Sequence, residues 1–217
     1  MSRLTDKLLA LLYPKRCPFC RRLMDEERAV CPLCLDKLPL TCGAEQRQNF
    51  PFVDGCFSPL YYEGTVRDSL LRYKFGGAAA YAEIYSEFIA KCIDENRISC
   101  DIITWVPLSR RRLRRRGYDQ ARLLAAPLAK RMGLPCEGLL LKKRHNPAQS
   151  GTGGAEKRRK NVAGAYAVLN SELVKGKSIL LADDIVTTGS TVSECARMLR
   201  MAGAARVNVV TLARRRN

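Results

Sequence analysis

The sequence predicts an α/β protein, a mainly parallel sheet flanked by helices, preceded by a small N-terminal four-cysteine zinc module. Three observations lead there. Beyond Pro59, helical and strand-like segments alternate, the pattern that builds parallel sheets. At the front, Cys17-Pro-Phe-Cys20 and Cys31-Pro-Leu-Cys34 form two CxxC pairs. Near the end, an apolar run closes in two aspartates and a Thr/Gly/Ser turn that opens a helix. With 217 residues, 47% of them hydrophobic, the chain can bury one core plus a small module, which excludes disordered and low-complexity classes. No window reaches the roughly 18 consecutive apolar residues of a membrane span, and the run Leu8 to Tyr13 is short for a signal peptide. A soluble, cytoplasmic protein without membrane insertion is expected.

The cysteines come first in chain order. Two residues between sulfurs let one tight knuckle aim both thiolates at one ion, and two knuckles complete the tetrahedral shell of Zn²⁺. Cys17, Cys20, Cys31 and Cys34 are therefore the expected ligands of a structural metal. A disulfide framework would suit an exported chain, and a thioredoxin-like motif would need one CxxC beside a βαβ unit. Residues 15–40 have almost no core of their own, so metal would supply much of their folding energy. Cys42 and Cys56 lack CxxC partners; Cys92, Cys100, Cys136 and Cys195 lie in or beside apolar stretches and read as buried free thiols. The expected division is residues 1–58 for the zinc segment and linker, and 59–217 for the α/β domain.

Residues 64–75 and 79–95 read as helices, the second with the stripe Ile84, Phe88, Ile89 and Cys92. Asp101 to Val106 reads as a strand ended by Pro107. Tyr118, Ala121, Ala125, Leu128 and Met132 then line one helix face that stops at Gly133. Leu139 to Leu141 is a candidate short strand. His145 to Ala163 is polar, basic and glycine-containing, too long for an ordinary connection, and reads as a functional loop. Ala165 to Leu169, Ser178 to Ala182 and Val207 to Leu212 are strand-like, and Ser190 to Met201 carries the helical stripe Val192, Cys195, Ala196 and Leu199.

Charge is concentrated. The net charge is +17, and from Arg110 to Lys160 there are 16 Lys plus Arg against 3 acids. Such an excess is either a footprint for a polyanion or a solvated basic face.

The segment Ile179-Leu180-Leu181-Ala182-Asp183-Asp184-Ile185-Val186-Thr187-Thr188-Gly189-Ser190-Thr191 carries the chemistry. A turn opening a helix surrounds an anion with backbone N–H groups and the positive helix end. Carboxylates beside a phosphate pocket need another partner, and vicinal sugar hydroxyls fit because carboxylates accept their hydrogen bonds. A ribose 5-phosphate is the implied ligand. A Walker-B reading lacks any GxxxxGK[ST], a haloacid-dehalogenase-type site lacks a second acidic motif, and a plain strand end with a helix cap is the structural alternative.

The same thirteen residues resemble the phosphoribosyl-pyrophosphate signature of type I phosphoribosyltransferases. Together with the cysteine pairs, Tyr61 to Gly76, Val106-Pro-Leu, Arg116-Gly-Tyr-Asp-Gln120, Gln149, Asn161 to Tyr166 and Val207 to Arg214, they resemble the ComF family, which is linked to DNA uptake in natural transformation. The family often carries further paired cysteines where this chain has only Cys42 and Cys56, and Asn is common where Asp119 stands. The resemblance implies that Asp183 and Asp184 hold ribose hydroxyls as the catalytic pair and that Thr187, Thr188, Gly189, Ser190 and Thr191 cradle the 5-phosphate. It places a pyrophosphate loop at Pro107 to Arg110 and a hood at His145 to Ala163, whose Arg158 and Arg159 would meet pyrophosphate oxygens. Mg²⁺ would accompany the pyrophosphate. His145, the lone histidine, is either a base or simply solvated. Two functional classes remain open. One is a phosphoribosyltransferase of unidentified acceptor. The other is a non-catalytic sensor of phosphoribosyl pyrophosphate that grips single-stranded DNA through Arg111, Arg112, Arg114, Arg115 and Arg116, alongside other DNA-uptake proteins. Trp105 and Tyr118 are candidate stacking surfaces, although Trp105 also suits a core strand.

Overall fold

The computed structural model describes residues 15–24, 28–143 and 162–216. After a short helix α1 (Pro32–Leu35) come β1 (Arg47–Gln48), β2 (Gly55–Phe57) and β3 (Leu60–Tyr61). Next are α2 (Gly64–Phe75), α3 (Tyr81–Glu95), β4 (Ile102–Trp105), α4 (Arg110–Arg116) and α5 (Gln120–Met132). The chain ends with β5 (Leu140–Lys142), β6 (Tyr166–Val168), β7 (Ser178–Val186), α6 (Ser190–Met201) and β8 (Arg206–Arg214).

The main sheet runs β1-β2-β8-β7-β4, with β3 also pairing β8; every pairing is parallel except β1 with β2. Strand alternation sends Leu180 and Ala182 of β7 into one core with α2, α3 and α5 residues such as Leu70, Ile89 and Leu128. Ile179 and Leu181 face the other core with Val192, Cys195 and Leu199 of α6. Helices thus cover both faces, as a parallel sheet requires. β5 and β6 form a separate antiparallel pair. Residues 55–57, on the N-terminal side of residue 59, belong to the main sheet through β8.

The cysteine module is docked on this body. Phe19 is buried against Tyr85 and Phe88, with ring centroids 6.2 and 6.0 Å away. Arg72 of α2 donates to the carbonyls of Pro18 and Phe19 at 2.9 and 2.7 Å, and Ser69 donates to Pro18 as well.

Two sequence expectations are corrected. β7 does not stop at Ala182 but continues through both aspartates to Val186, because β8 still pairs with it there. Cys100 and Cys136 are half-buried rather than buried, since each lies at a strand margin. Trp105 packs against the core at the end of β4, the strand role the sequence also suits, with Arg122 over its ring at 5.6 Å, and the half-buried Tyr118 donates its hydroxyl to the Tyr73 carbonyl.

Candidate functional site

β4 is paired with β7 only as far as Ala182, where Val106 donates its N–H to the Ala182 carbonyl at 3.0 Å. Pro107 then turns the chain away, offering no N–H to extend the ladder. The last residues of β7 keep β8 on one side and lose β4 on the other, which opens a cleft at the carboxyl edge of the sheet. Asp183 and Asp184 sit in it. The cleft encloses about 200 Å³, and its lining includes Lys74, Pro107, Arg112, Arg116, Lys142 and Thr191 beside the two aspartates.

Adjacent strand residues face opposite ways, and the aspartates have different neighbours. Asp184, 6% exposed, pairs with Lys74 of α2, Nζ to Oδ1 2.9 Å. Asp183 lies toward Lys142, Tyr166 and Cys195. Burial first, then the neighbouring Asp184 charge, holds the Asp183 carboxyl well above the usual carboxylate range. Asp183 also accepts the backbone N–H of Asp184 at 2.8 Å.

Asp119 organises the facing wall. One of its oxygens accepts the Leu108 N–H at 2.9 Å, and the other caps α5 through Ala121 and Arg122 at 3.2 and 3.4 Å. It therefore fixes the turn that follows β4. Gln120, 2% exposed, receives Arg116 on its side chain and the Tyr73 hydroxyl on its carbonyl at 2.8 Å. Phe75 lies under the Arg116 guanidinium, 4.7 Å from ring centroid to Cζ. On the opposite wall, Lys142 donates to the Tyr166 hydroxyl at 2.9 Å, and burial followed by Arg112 lowers its pKa.

The turn after the aspartates has the geometry of an anion cradle. Gly189 adopts φ +69° as the N-cap of α6, a left-handed conformation suited to glycine, and no side chain caps that helix. A Cβ on Gly189 would fall 2.1 Å from the Phe50 ring, so the bend is also closely covered. Thr188 and Ser190 hydroxyls are 3.0 Å apart, Thr187 is exposed, and Thr191 faces the cleft. The first N–H groups of a helix have no intrahelical acceptor and point to whatever occupies the bend.

The arginine run divides. Arg112 and Arg116, one turn apart on α4, line the aspartate cleft. Arg110, Arg111, Arg114 and Arg115 instead line a neighbouring trough of about 930 Å³ with Lys142 and Lys143. Arg110, expected with the pyrophosphate loop, thus stands apart from Pro107. Arg158, Arg159 and His145 lie outside the described residues.

Sequence alone does not single out Lys74, Asp119, Lys142, Tyr166 or Phe50 for this cleft. Asp119 alone carries a local signal, an acid directly before a helical stripe.

The four front sulfurs lie within 4.8 Å of one another. Tetrahedral zinc with Zn–S bonds of about 2.3 Å needs sulfurs about 3.8 Å apart. The cluster is therefore compatible with structural zinc. The first knuckle closes through Arg21 N–H to Cys17 carbonyl at 2.9 Å, and the second through Cys34 and Leu35 N–H to Cys31 carbonyl at 3.0 Å. Desolvation works to raise the Cys17 thiol, but N–H donors from Cys20, Cys31 and Phe19 bring it down to about 7, whereas burial pushes the thiols of Cys31 and Cys34 up. Among the described residues no helix is long and apolar enough to cross a membrane.

The family model described as phosphoribosyl transferase domain matches residues 119–217. The DNA utilization protein YhgH of Escherichia coli K12 is 30% identical over 217 residues, covering 95% of this chain and 93% of that protein. Competence protein F of Haemophilus influenzae is 35% identical over 111 residues, 50% of this chain and 48% of that one. Competence protein ComFC of Streptococcus pneumoniae is 29% identical over 154 residues, 70% of this chain and 65% of that one. Among solved structures, an adenine phosphoribosyltransferase from Thermoanaerobacter pseudethanolicus aligns at 18% identity and TM-score 0.41, covering 63% of this chain and 81% of that one. The α/β domain has the type I phosphoribosyltransferase fold, and the chain belongs to the ComF family of competence and DNA utilization proteins.

Proposed function

We propose that the aspartate cleft binds phosphoribosyl pyrophosphate with Mg²⁺ and that the protein transfers the phosphoribosyl group, in the cytoplasm, during the handling of incoming DNA. The observation that carries this reading is the order at the sheet edge: two carboxylates, a glycine bend at positive φ, and an uncapped helix start. In this reading Asp183 and Asp184 accept the ribose hydroxyls as the catalytic pair, and the bend from Thr187 to Thr191 receives the 5-phosphate. Pro107, Arg112 and Arg116 stand on the side of the leaving pyrophosphate, with Arg158 and Arg159 as further donors. The cleft carboxylates offer the hard oxygen donors that suit Mg²⁺, which would supply charge neutralisation of the pyrophosphate. Residues 59–217 carry the cleft, and residues 1–58 carry the cysteine module.

Transfer breaks the sugar C1–oxygen bond, whose electron pair leaves with pyrophosphate. A lone pair of the acceptor forms the new bond to C1, and the displaced proton goes to solvent. The sugar is cationic between these events, so charge, positioning and exclusion of water accelerate the step without a protein nucleophile. Calorimetric titration with phosphoribosyl pyrophosphate and Mg²⁺ tests the binding, with Asp183→Asn/Asp184→Asn as the control and circular dichroism to check its fold. Heat of binding in wild type and none in the variant is expected; equal binding by both removes the assignment.

A second reading is favoured by the separate arginine trough. There the cleft senses the sugar pyrophosphate while Arg111, Arg114 and Arg115 hold single-stranded DNA, with Arg112 and Arg116 bridging to the cleft and no turnover. Binding to an oligonucleotide that weakens steeply with salt, without pyrophosphate release under any condition, would favour it.

A further inference from the structure

The cleft and the trough share Lys142. The cleft encloses about 200 Å³, so a sugar phosphate docked at the aspartates leaves little room for a second substrate within it. The adjoining trough is several times larger, at about 930 Å³. Its lining contains Arg110, Arg111, Arg114, Arg115, Lys142 and Lys143, and no acid among the described residues.

Helical phase explains the division. Residues four apart share a face, so Arg112 and Arg116 form one row toward the aspartates. Arg110 with Arg114 and Arg111 with Arg115 form two rows toward the trough. Three like-charge pairs at that spacing weaken a seven-residue helix by a few tenths of a kcal/mol each. Among the described residues none of Arg110, Arg111, Arg114 and Arg115 has an acidic partner. A concave surface of one sign concentrates the opposite charge, and an uncharged base would gain nothing from it.

We propose that the second substrate is a phosphate-bearing nucleotide, free or at the end of a strand, whose phosphates lie in the arginine trough while its base reaches past Lys142 to the sugar carbon. The inference rests on the reading of the aspartate cleft as the phosphoribosyl site. A base nitrogen supplies the electron pair of the new bond to C1, pyrophosphate leaves with the pair of the old one, and the base releases a proton to solvent.

The test measures pyrophosphate release from phosphoribosyl pyrophosphate and Mg²⁺ with three acceptor sets. These are adenine and cytosine, their 5′-monophosphates, and a mixed-sequence hexanucleotide. Phosphate-bearing acceptors should raise release at least roughly tenfold above the free bases. The monophosphate and hexanucleotide arms tell a free nucleotide from a strand end, and stimulation by either supports the proposal. Arg114→Ala/Arg115→Ala should raise the half-saturating acceptor concentration roughly tenfold while calorimetric affinity for phosphoribosyl pyrophosphate stays within about twofold. Lys142→Met should also raise the half-saturating acceptor concentration, with Lys142→Arg restoring it. Free bases that stimulate as well as nucleotides overturn the proposal, as does an absence of stimulation by every acceptor in protein that binds the sugar pyrophosphate. No binding of that ligand by wild type removes the cleft reading itself and the proposal with it.

Discussion

Lys74→Met is the most informative single change at the cleft. Lys74 and Asp184 are 2.9 Å apart, with side chains 17% and 8% exposed, so the pair is largely withdrawn from water. Removing one partner of a buried pair costs about 3–5 kcal/mol, because the other charge is left without compensation. Residual exposure of Lys74 admits some water, which brings the expected loss to about 2–4 kcal/mol; Met retains the packing of the aliphatic stem. At roughly 2–4 °C per kcal/mol for a chain of this size, thermal unfolding monitored by circular dichroism should shift down by about 5–15 °C. A second readout separates this stability effect from a role in binding. Desolvation and Asp184 raise the Asp183 carboxyl, and Lys74 opposes them. Ribose hydroxyls require the ionised acceptor, so affinity for phosphoribosyl pyrophosphate should rise with pH through the Asp183 titration, and Lys74→Met should move that rise to higher pH. Lys74→Arg should restore both properties. A Met variant that melts within a degree of wild type, or whose binding profile keeps its midpoint, would refute the reasoning.

The remaining expectations concern the wall, the titration and the metal. Asp119→Ala removes a helix cap worth about 1 kcal/mol and orphans the Leu108 N–H at about 1–3 kcal/mol, a total loss of roughly 2–4 kcal/mol in urea unfolding. Asp119→Asn keeps an acceptor oxygen and should lose less than about 1 kcal/mol, so equal losses in the two would remove the capping account. Burial and Asp184 hold the Asp183 carboxyl up to about 8, so the folded chain binds more protons than the unfolded one from the ordinary carboxylate range to that value. Stability should therefore fall as pH rises across this window and level above it, and Asp183→Asn should flatten that slope in melting scans; an unchanged slope would place its origin elsewhere. Purified protein should carry one zinc per chain by atomic emission, and Cys31→Ser should lose both the metal and several degrees of melting temperature. Metal-free wild type with an unchanged melt would count against a structural metal.

Helices are more legible in this sequence than contacts. Residues 64–75 and 190–201 are readable from their bounds and stripes, and Gly133 marks the end of α5 through its left-handed conformation at φ +64°. β7 reads short because the apolar run stops at Ala182, whereas pairing with β8 needs only backbone and carries the strand through the aspartates. β2 is hidden because three residues gain strand character from Asn208 to Val210, far along the chain. Lys74 looks like an ordinary solvated residue in the last turn of a helix; nothing local announces an aspartate 110 residues away. The division of the arginines is latent in helical phase, but only the placement of α4 beside the sheet tells which row meets the cleft.

One helix connects the two halves of the molecule. Ser69 and Arg72 hold the carbonyls of the first cysteine knuckle, and Lys74, two residues further on, holds Asp184. Tyr73, between them, reaches the Gln120 carbonyl and receives Tyr118, so the same turn also fixes the start of α5. A helix transmits displacement at one end to the other because its backbone bonds keep it rigid. Loss of the knuckle would release Arg72 and Ser69, remove Phe19 from its place between Tyr85 and Phe88, and free the helix to shift along the sheet. A shift of one ångström would lengthen the 2.9 Å ion pair beyond hydrogen-bond distance. The cysteine module, none of whose described residues lines the cleft, thereby sets the position of the Lys74 contact with Asp184, which is a mechanical reason for joining a metal-held segment to this fold.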